Sequence, residues 1–147
     1  MVVLVLVVAA VAAACSSITG TPPAPTPADF PGIAGALGKR GIVIDNIVSG
    51  DAGCGDATLI PTAIRFDASG LDQPVPTRAY VYIFRNRAVF DRLLPDVVLC
   101  AGAYVTDEEG EPWIALSPFV LTGPGPWPPA FRDAMADGLR EAAGTGG

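Results

Sequence analysis

The chain opens on MVVLVLVVAAVAAAC, an uncharged apolar run that ends in small alanines and then Cys15. This segment decides what the rest of the chain can be. As a helix at about 1.5 Å per residue, Val2 to Ala14 covers roughly 20 Å, short of the ~30 Å hydrocarbon core of a bilayer. It has instead the length of a secretory apolar region, and Ala12, Ala13 and Ala14 provide the small residues that a signal peptidase requires next to the scissile bond. The expectation is an exported protein whose residues 1–14 take no part in the fold.

The arrangement Ala12-Ala13-Ala14-Cys15 resembles the cleavage motif of bacterial lipoprotein precursors, in which Leu, Ala or a similar residue is followed by two small residues and a cysteine. The resemblance covers the first fifteen residues. It implies a diacylglyceryl group on the Cys15 thiol, cleavage immediately before it, and a lipid-anchored protein on the extracytoplasmic face of the cell membrane. Two departures from the pattern are visible: Ala12 stands where Leu is more usual, and no Lys or Arg follows Met1. Ala12-x-Ala14 also satisfies the cleavage rule of soluble exported proteins, which leaves ordinary secretion as the alternative.

Three cysteines are present, and an exported protein rarely keeps an odd reactive thiol. If Cys15 carries lipid, Cys54 and Cys100 remain as one pair. In an oxidising compartment they are expected to form a disulfide, and closing the loop from 54 to 100 is worth about 4 kcal/mol in the chain-entropy account. Two buried free thiols are the alternative.

Residues 15–28, beginning with the lipidated cysteine, are rich in Ser, Thr, Pro and Gly and read as an extended tether. Pro22 and Pro25 form a PxxP without a flanking arginine, a weak signal for a proline-reading partner. The folded part is expected over 29–144 as a single domain, followed by a short flexible tail, 145–147.

Within 29–144 a first helix is expected from Phe30 to Lys39, capped by Asp29 and stopped by Lys39, Arg40 and Gly41. In the strand that follows, Ile42, Ile44 and Val48 project one way. In the next, Ile64, Phe66 and Ala68 face inward while Arg65 and Asp67 face outward. Ala79 to Phe84 is apolar on both faces and should be central. The segment SGLDQPVP joins these two strands as a long hairpin-type loop. Asn86 is expected to cap a helix with Phe90, Leu94, Val97 and Ala101 on its inner face, kinked or split at Pro95, with Cys100 riding on it. A fourth strand is expected from Trp113 to Leu121. After it, Phe131, Met135, Leu139 and Ala142 mark the apolar stripe of a last helix. The expected fold is α+β: a mostly antiparallel sheet of about four strands with helices packed on one face. The order of elements resembles that of small uncharacterised lipoproteins from high-GC bacteria.

The sequence contains no histidine, so Ser-His-Asp and Cys-His nucleophile systems and histidine-containing zinc sites are excluded. Neither a GxGxxG before a helix nor a P-loop occurs, and no cofactor is expected. The acidic run Asp107, Glu108, Glu109 and Glu111 lacks the alternating ligand spacing of a calcium loop and reads as a solvated turn. Asp51 and Asp56, flanking Cys54, read the same way, and no metal site is expected. The formal net charge of −6, with arginines scattered among acids, makes nucleic acid an improbable partner. An acidic balance also leaves the acyl chains, rather than charge, as the attachment to the membrane.

Two aromatic groups remain. Trp127, between Pro126 and Pro128, is the candidate contact surface, with packing onto the sheet as the competing role. Tyr80, Tyr82 and Tyr104 are candidates to line a groove, though two lie on the central strand and packing is the simpler role. The expected function is a non-catalytic binding or accessory module of the cell envelope, its envelope-protein or small-molecule ligand unknown. The alternatives are a secreted interaction or inhibitor domain, and an enzyme using a carboxylate pair or Cys54 as nucleophile.

Overall fold

The computed structural model describes residues 30–104 and 113–144. The leader, Cys15, the tether with its PxxP, Asp29, the acidic run at 107–111 and the tail lie outside the described residues.

Three helices and five strands follow one another as α1 (Pro31–Gly38), β1 (Val43–Ser49), β2 (Ala63–Gly70), β3 (Gln73–Ile83), α2 (Arg87–Ala101), β4 (Trp113–Leu116), β5 (Phe119–Thr122) and α3 (Pro129–Gly144). The strands make one antiparallel sheet in the order β1-β2-β3-β5-β4. The fold is α+β, as expected, with five strands rather than about four. The extra strand arises because the stretch expected as one strand from Trp113 to Leu121 turns back on itself at Ser117-Pro118, and Leu116 pairs with Phe119. Proline cannot donate to a ladder, so Pro118 ends pairing where apolar character alone reads as continuous.

β3 is the central strand, and its period of two explains why it is apolar on both sides. Ala79 and Val81 enter one core, with Ile64, Phe66 and Ala68 of β2 and Leu121 of β5. Tyr80, Tyr82 and Phe84 enter a second, with Ala63 and Val120. The first core is covered by α1 (Ile33, Leu37) and α3 (Phe131, Met135, Leu139, Ala142), the stripe expected for the last helix. α2 does not join them. Its Phe90, Val97 and Cys100 cover the opposite face, so the helices sandwich the sheet instead of sharing one side.

Other details depart from the expectations. α1 begins at Pro31 with Phe30 in the capping position and no side-chain cap; proline at the first position loses no hydrogen bond there. Ile42 and Ile44 face the first core, but Val48 does not. The β1–β2 register shifts between Asp45 and Val48, where Asn46 takes a positive φ of 51°, and the bulge turns Val48 outward. α2 is unbroken through Pro95, which lies on the exposed side, where an Asp91 carbonyl without its helical partner can meet water.

The β2–β3 connection is a hairpin, as expected, but a tight one rather than long: Gly70 pairs with Gln73 across Leu71 and Asp72. Gly70 has φ 130°, and a Cβ on it would sit 2.1 Å from the Gly41 carbonyl oxygen. Only glycine fits there. Asp72 then reaches across the molecule, its carboxylate accepting from the backbone N–H of Ala130 (3.0 Å) and of Phe131 (2.8 Å) at the start of α3. The hairpin tip thus caps a helix far away in sequence. Asp72→Ala is expected to cost about 1 kcal/mol in a urea melt, the usual worth of a helix cap, whereas Asp72→Asn should keep most of it.

α1 and α3 cross at Gly138, where a Cβ would lie 2.5 Å from Leu37 Cδ2. Beyond the crossing, Arg40 (2.5 Å) and Lys39 (3.0 Å) bind Glu141. These two bonds hold its carboxyl below the usual range.

Candidate functional site

The side chains that carry chemistry gather on the second face of the sheet, under α2. Asn86 starts that helix, its side-chain oxygen accepting from Val89 N–H at 3.0 Å, and so sets the phase that turns Cys100 inward. The loop after β1 meets it from the other side. Asp51 Oδ1 accepts from Gly53 N–H (3.0 Å), and Asp56 Oδ1 accepts from the backbone N–H (2.8 Å) and hydroxyl (2.7 Å) of Thr58. These turns deliver Cys54 to Cys100, and the two form a disulfide with Cα atoms 5.6 Å apart.

Asp51 and Asp56 are therefore turn formers. Asp56 is held below the usual carboxylate range by its bonds to Thr58, and Asp51 Oδ2 also lies 2.8 Å from Arg65 Nε. No group of three metal-ligating side chains occurs among the described residues.

Beside the disulfide sits a buried chain of phenols. Tyr82 is fully buried and its hydroxyl donates to the Ala52 carbonyl at 2.7 Å. Having spent its proton there, it accepts from Tyr104, whose oxygen is 3.3 Å away. The Cys100 sulfur lies 3.1 Å from the Ala52 oxygen and 3.5 Å from the Tyr82 oxygen; bonded to Cys54, it has no proton to give, so these are contacts rather than donated bonds. Tyr80 stacks at a tilt on Tyr104, ring centres 4.8 Å apart. The three tyrosines are brought together, but as packing around the disulfide and not as an open groove.

Burial pushes the Tyr82 phenol far above its ordinary value, with the neighbouring Tyr104 adding to the effect. Burial raises Tyr104 too, against the opposing bonds. A phenol whose pKa is higher folded than unfolded supports the fold fully below pH ~10 and loses that support as pH rises further. Absorbance titration at 295 nm is therefore expected to show these two tyrosines ionising only together with the loss of near-ultraviolet circular dichroism. Ionisation of all three in the still-folded chain would contradict the burial.

The other sequence candidates fall elsewhere. Trp127 belongs to the first core: it is 7% exposed, meets Phe131 edge-on at 5.6 Å, and its indole N–H donates to the Pro124 carbonyl at 3.0 Å. Of the loop GPGPWPP, Pro126 is exposed and Pro128 half-buried. The ring named as a contact surface thus faces inward. Cys54, considered as a nucleophile, has its sulfur in the bond to Cys100. Two carboxylates do stand directly opposite each other, Asp45 on β1 and Asp67 on β2, with the Asn46 amide donating to Asp67 at 2.8 Å. They lie beside the β1 bulge, Asp45 exposed and Asp67 half-buried. The alternating pattern placed Asp67 outward, but the bulge that brings Asn46 to it leaves no trace in hydropathy.

One further feature escapes sequence reasoning. A cavity of about 160 Å³ opens between the C-terminal end of α2 and the β4–β5 hairpin, lined by Val97, Val98, Ala101, Gly102, Trp113 and Thr122. No helix among the described residues is long and apolar enough to cross a membrane. Comparison with protein-family models, with curated proteins and with solved structures finds no match to this chain.

Proposed function

We propose that the protein is a lipid-anchored module on the extracytoplasmic face of the cell membrane, binding a partner or ligand without catalysing a reaction. The observation that carries this reading is the pairing of Cys54 with Cys100. It takes up two of three cysteines in a bond suited to an oxidising compartment, and it leaves Cys15, the residue after Ala12-Ala13-Ala14, as the odd one. A thiol in that position, behind an apolar run too short to span a bilayer, is accounted for by acylation.

The non-catalytic part rests on the chemistry within reach. The sequence has no histidine, the Tyr82 phenol is buried and bonded to the Ala52 carbonyl and to Tyr104, and Tyr80 is buried against Tyr104. The described carboxylates beside the disulfide serve as turn formers. A two-chain acyl anchor holds a domain stably at a bilayer, which a single apolar chain does not, and the net negative charge contributes nothing to adhesion on anionic lipid.

Growth of expressing cells with an alkynyl fatty acid tests the anchor. The parent protein is expected to take up the label and to stay with the membrane pellet in alkaline carbonate, and Cys15→Ser to take up none. An unlabelled parent, or a labelled Cys15→Ser protein, would contradict the reading.

A further inference from the structure

We propose that the tip of the β2–β3 hairpin is a lipid-contact site: Leu71 and Val75, with Val43 at the same end of the sheet, rest in the interfacial layer of the bilayer that anchors Cys15. The proposal rests on the anchored reading for the nearness of that bilayer, and adds to it the surface that faces the lipid.

The conformation of Leu71 points to this role. The residue lies in the two-residue turn between Gly70 and Gln73 with a φ of 55°, and it is 54% exposed. Backbone of that kind in a tight hairpin favours Gly, Asn or Asp, and a leucine is held there at a cost. Leu71 lies over Gly41, where a Cβ would sit 3.4 Å from its Cδ2, yet more than half of the residue stays in solvent. A position that breaks the local rule and leaves a large aliphatic group exposed is accounted for by function rather than by the fold.

The rest of the tip agrees. Val75 is 68% exposed, and Val43, opposite Ser69 on the neighbouring strand, is 55% exposed. Pro74 and Pro76 are exposed as well. From Ser69 to Thr77 the one charged side chain is Asp72, and its carboxylate is taken up by the Ala130 and Phe131 N–H groups. The Gln73 side chain donates to the Val75 carbonyl and is thus paired within the tip. Such a surface enters an interfacial layer at little desolvation cost. Two observations favour lipid over a protein pocket. Even fully extended, residues 16–29 keep Phe30 within about 50 Å of Cys15, so the anchored domain is always in reach of the bilayer. The tip also lacks the Trp, Tyr and Arg that dominate protein interfaces, where leucine and valine are under-represented.

The chain beginning at Cys15, which keeps every described residue, is tested by attaching it to phosphatidylcholine nanodiscs. With Cys54 and Cys100 paired, Cys15 is its one free thiol and couples to a maleimide lipid, which reproduces the tether whether or not cells acylate it. A nitroxide on the acyl chains should broaden the amide signals of Val43, Leu71 and Val75 far more than those of Val98 and Leu99, the exposed aliphatics of α2. High salt should leave the broadening unchanged, because the contact is apolar. Leu71→Asn, suited to the left-handed turn, should lower the docked population about tenfold, the factor for returning one half-exposed leucine to water, while melting no lower than the parent. Val75→Ser should weaken the contact severalfold with the fold intact. No broadening at the tip would overturn the lipid contact in favour of a protein surface. Broadening that vanishes in high salt, centres on Val98 and Leu99, or is undiminished in both variants would overturn it as well. Acylation of Cys15 is read separately by the fatty-acid label, so failure here and failure of the anchor are distinguishable.

Discussion

Replacing Cys54 and Cys100 together by alanine is expected to lower stability by about 4 kcal/mol, since the bond they form closes a loop of 46 residues' separation whose freedom the unfolded chain otherwise regains. For a domain of this size that is a fall on the order of 15 °C in melting temperature. The local consequences point the same way. The bond joins the loop after β1 to α2, and the Cys100 sulfur rests against the Ala52 carbonyl that also receives the Tyr82 hydroxyl. Releasing it loosens the cover over the second core, whereas the first core, closed by α1 and α3, contains neither cysteine. Paired thermal melts of the oxidised parent, the reduced parent and the double variant provide the measurement. Coincident melting curves for all three would mean that the bond does not hold the domain together.

Trp127→Ala is expected to cost about 3–5 kcal/mol, the range for removing a large aromatic from a core. The ring is almost fully buried, meets Phe131 edge-on, and is tied by its N–H to Pro124. It also lies so close over Gly123 that a Cβ there would sit 2.8 Å from Trp127 Cζ2. Pro126→Ala, on the exposed side of the same loop, should change stability by no more than an ordinary surface substitution. A urea melt separates packing from surface contact as the role of this tryptophan. A variant as stable as the parent would return the ring to the surface and revive the loop as a docking element.

These two predictions draw on features of different legibility in the sequence. The disulfide followed from counting cysteines, because compartment and parity constrain a pairing without any knowledge of the fold. Where the expectations held, a local pattern sufficed: the alternation of Ile64, Phe66 and Ala68, the cap at Asn86, and the four-residue spacing of Phe131, Met135 and Leu139. Where they failed, the deciding contact was distant. The β2–β3 turn is tight because Gly70 must pass the Gly41 carbonyl and because Asp72 is held by the start of α3, and neither fact exists in the segment SGLDQPVP read alone.

The same distinction applies to the side of the sheet that α2 takes. Its apolar stripe says that one face is buried but not against which side, and β3, apolar on both faces, accepts a helix on either. The pocket was invisible for a related reason. Thr122 lies one residue past the strand expected to end at Leu121, and pairing with Tyr80 and Trp113 carries it into the interior.

The intact mass of the protein extracted from its native membrane tests together the acylation proposed for Cys15 and the closed Cys54–Cys100 pair. The prediction is a mature chain beginning at Cys15, heavier by a diacylglyceryl group and gaining about two mass units on reduction, the two hydrogens of one opened disulfide. A chain that still carries Met1, or one that begins at Cys15 without lipid, would contradict the anchor and leave a third thiol to be explained.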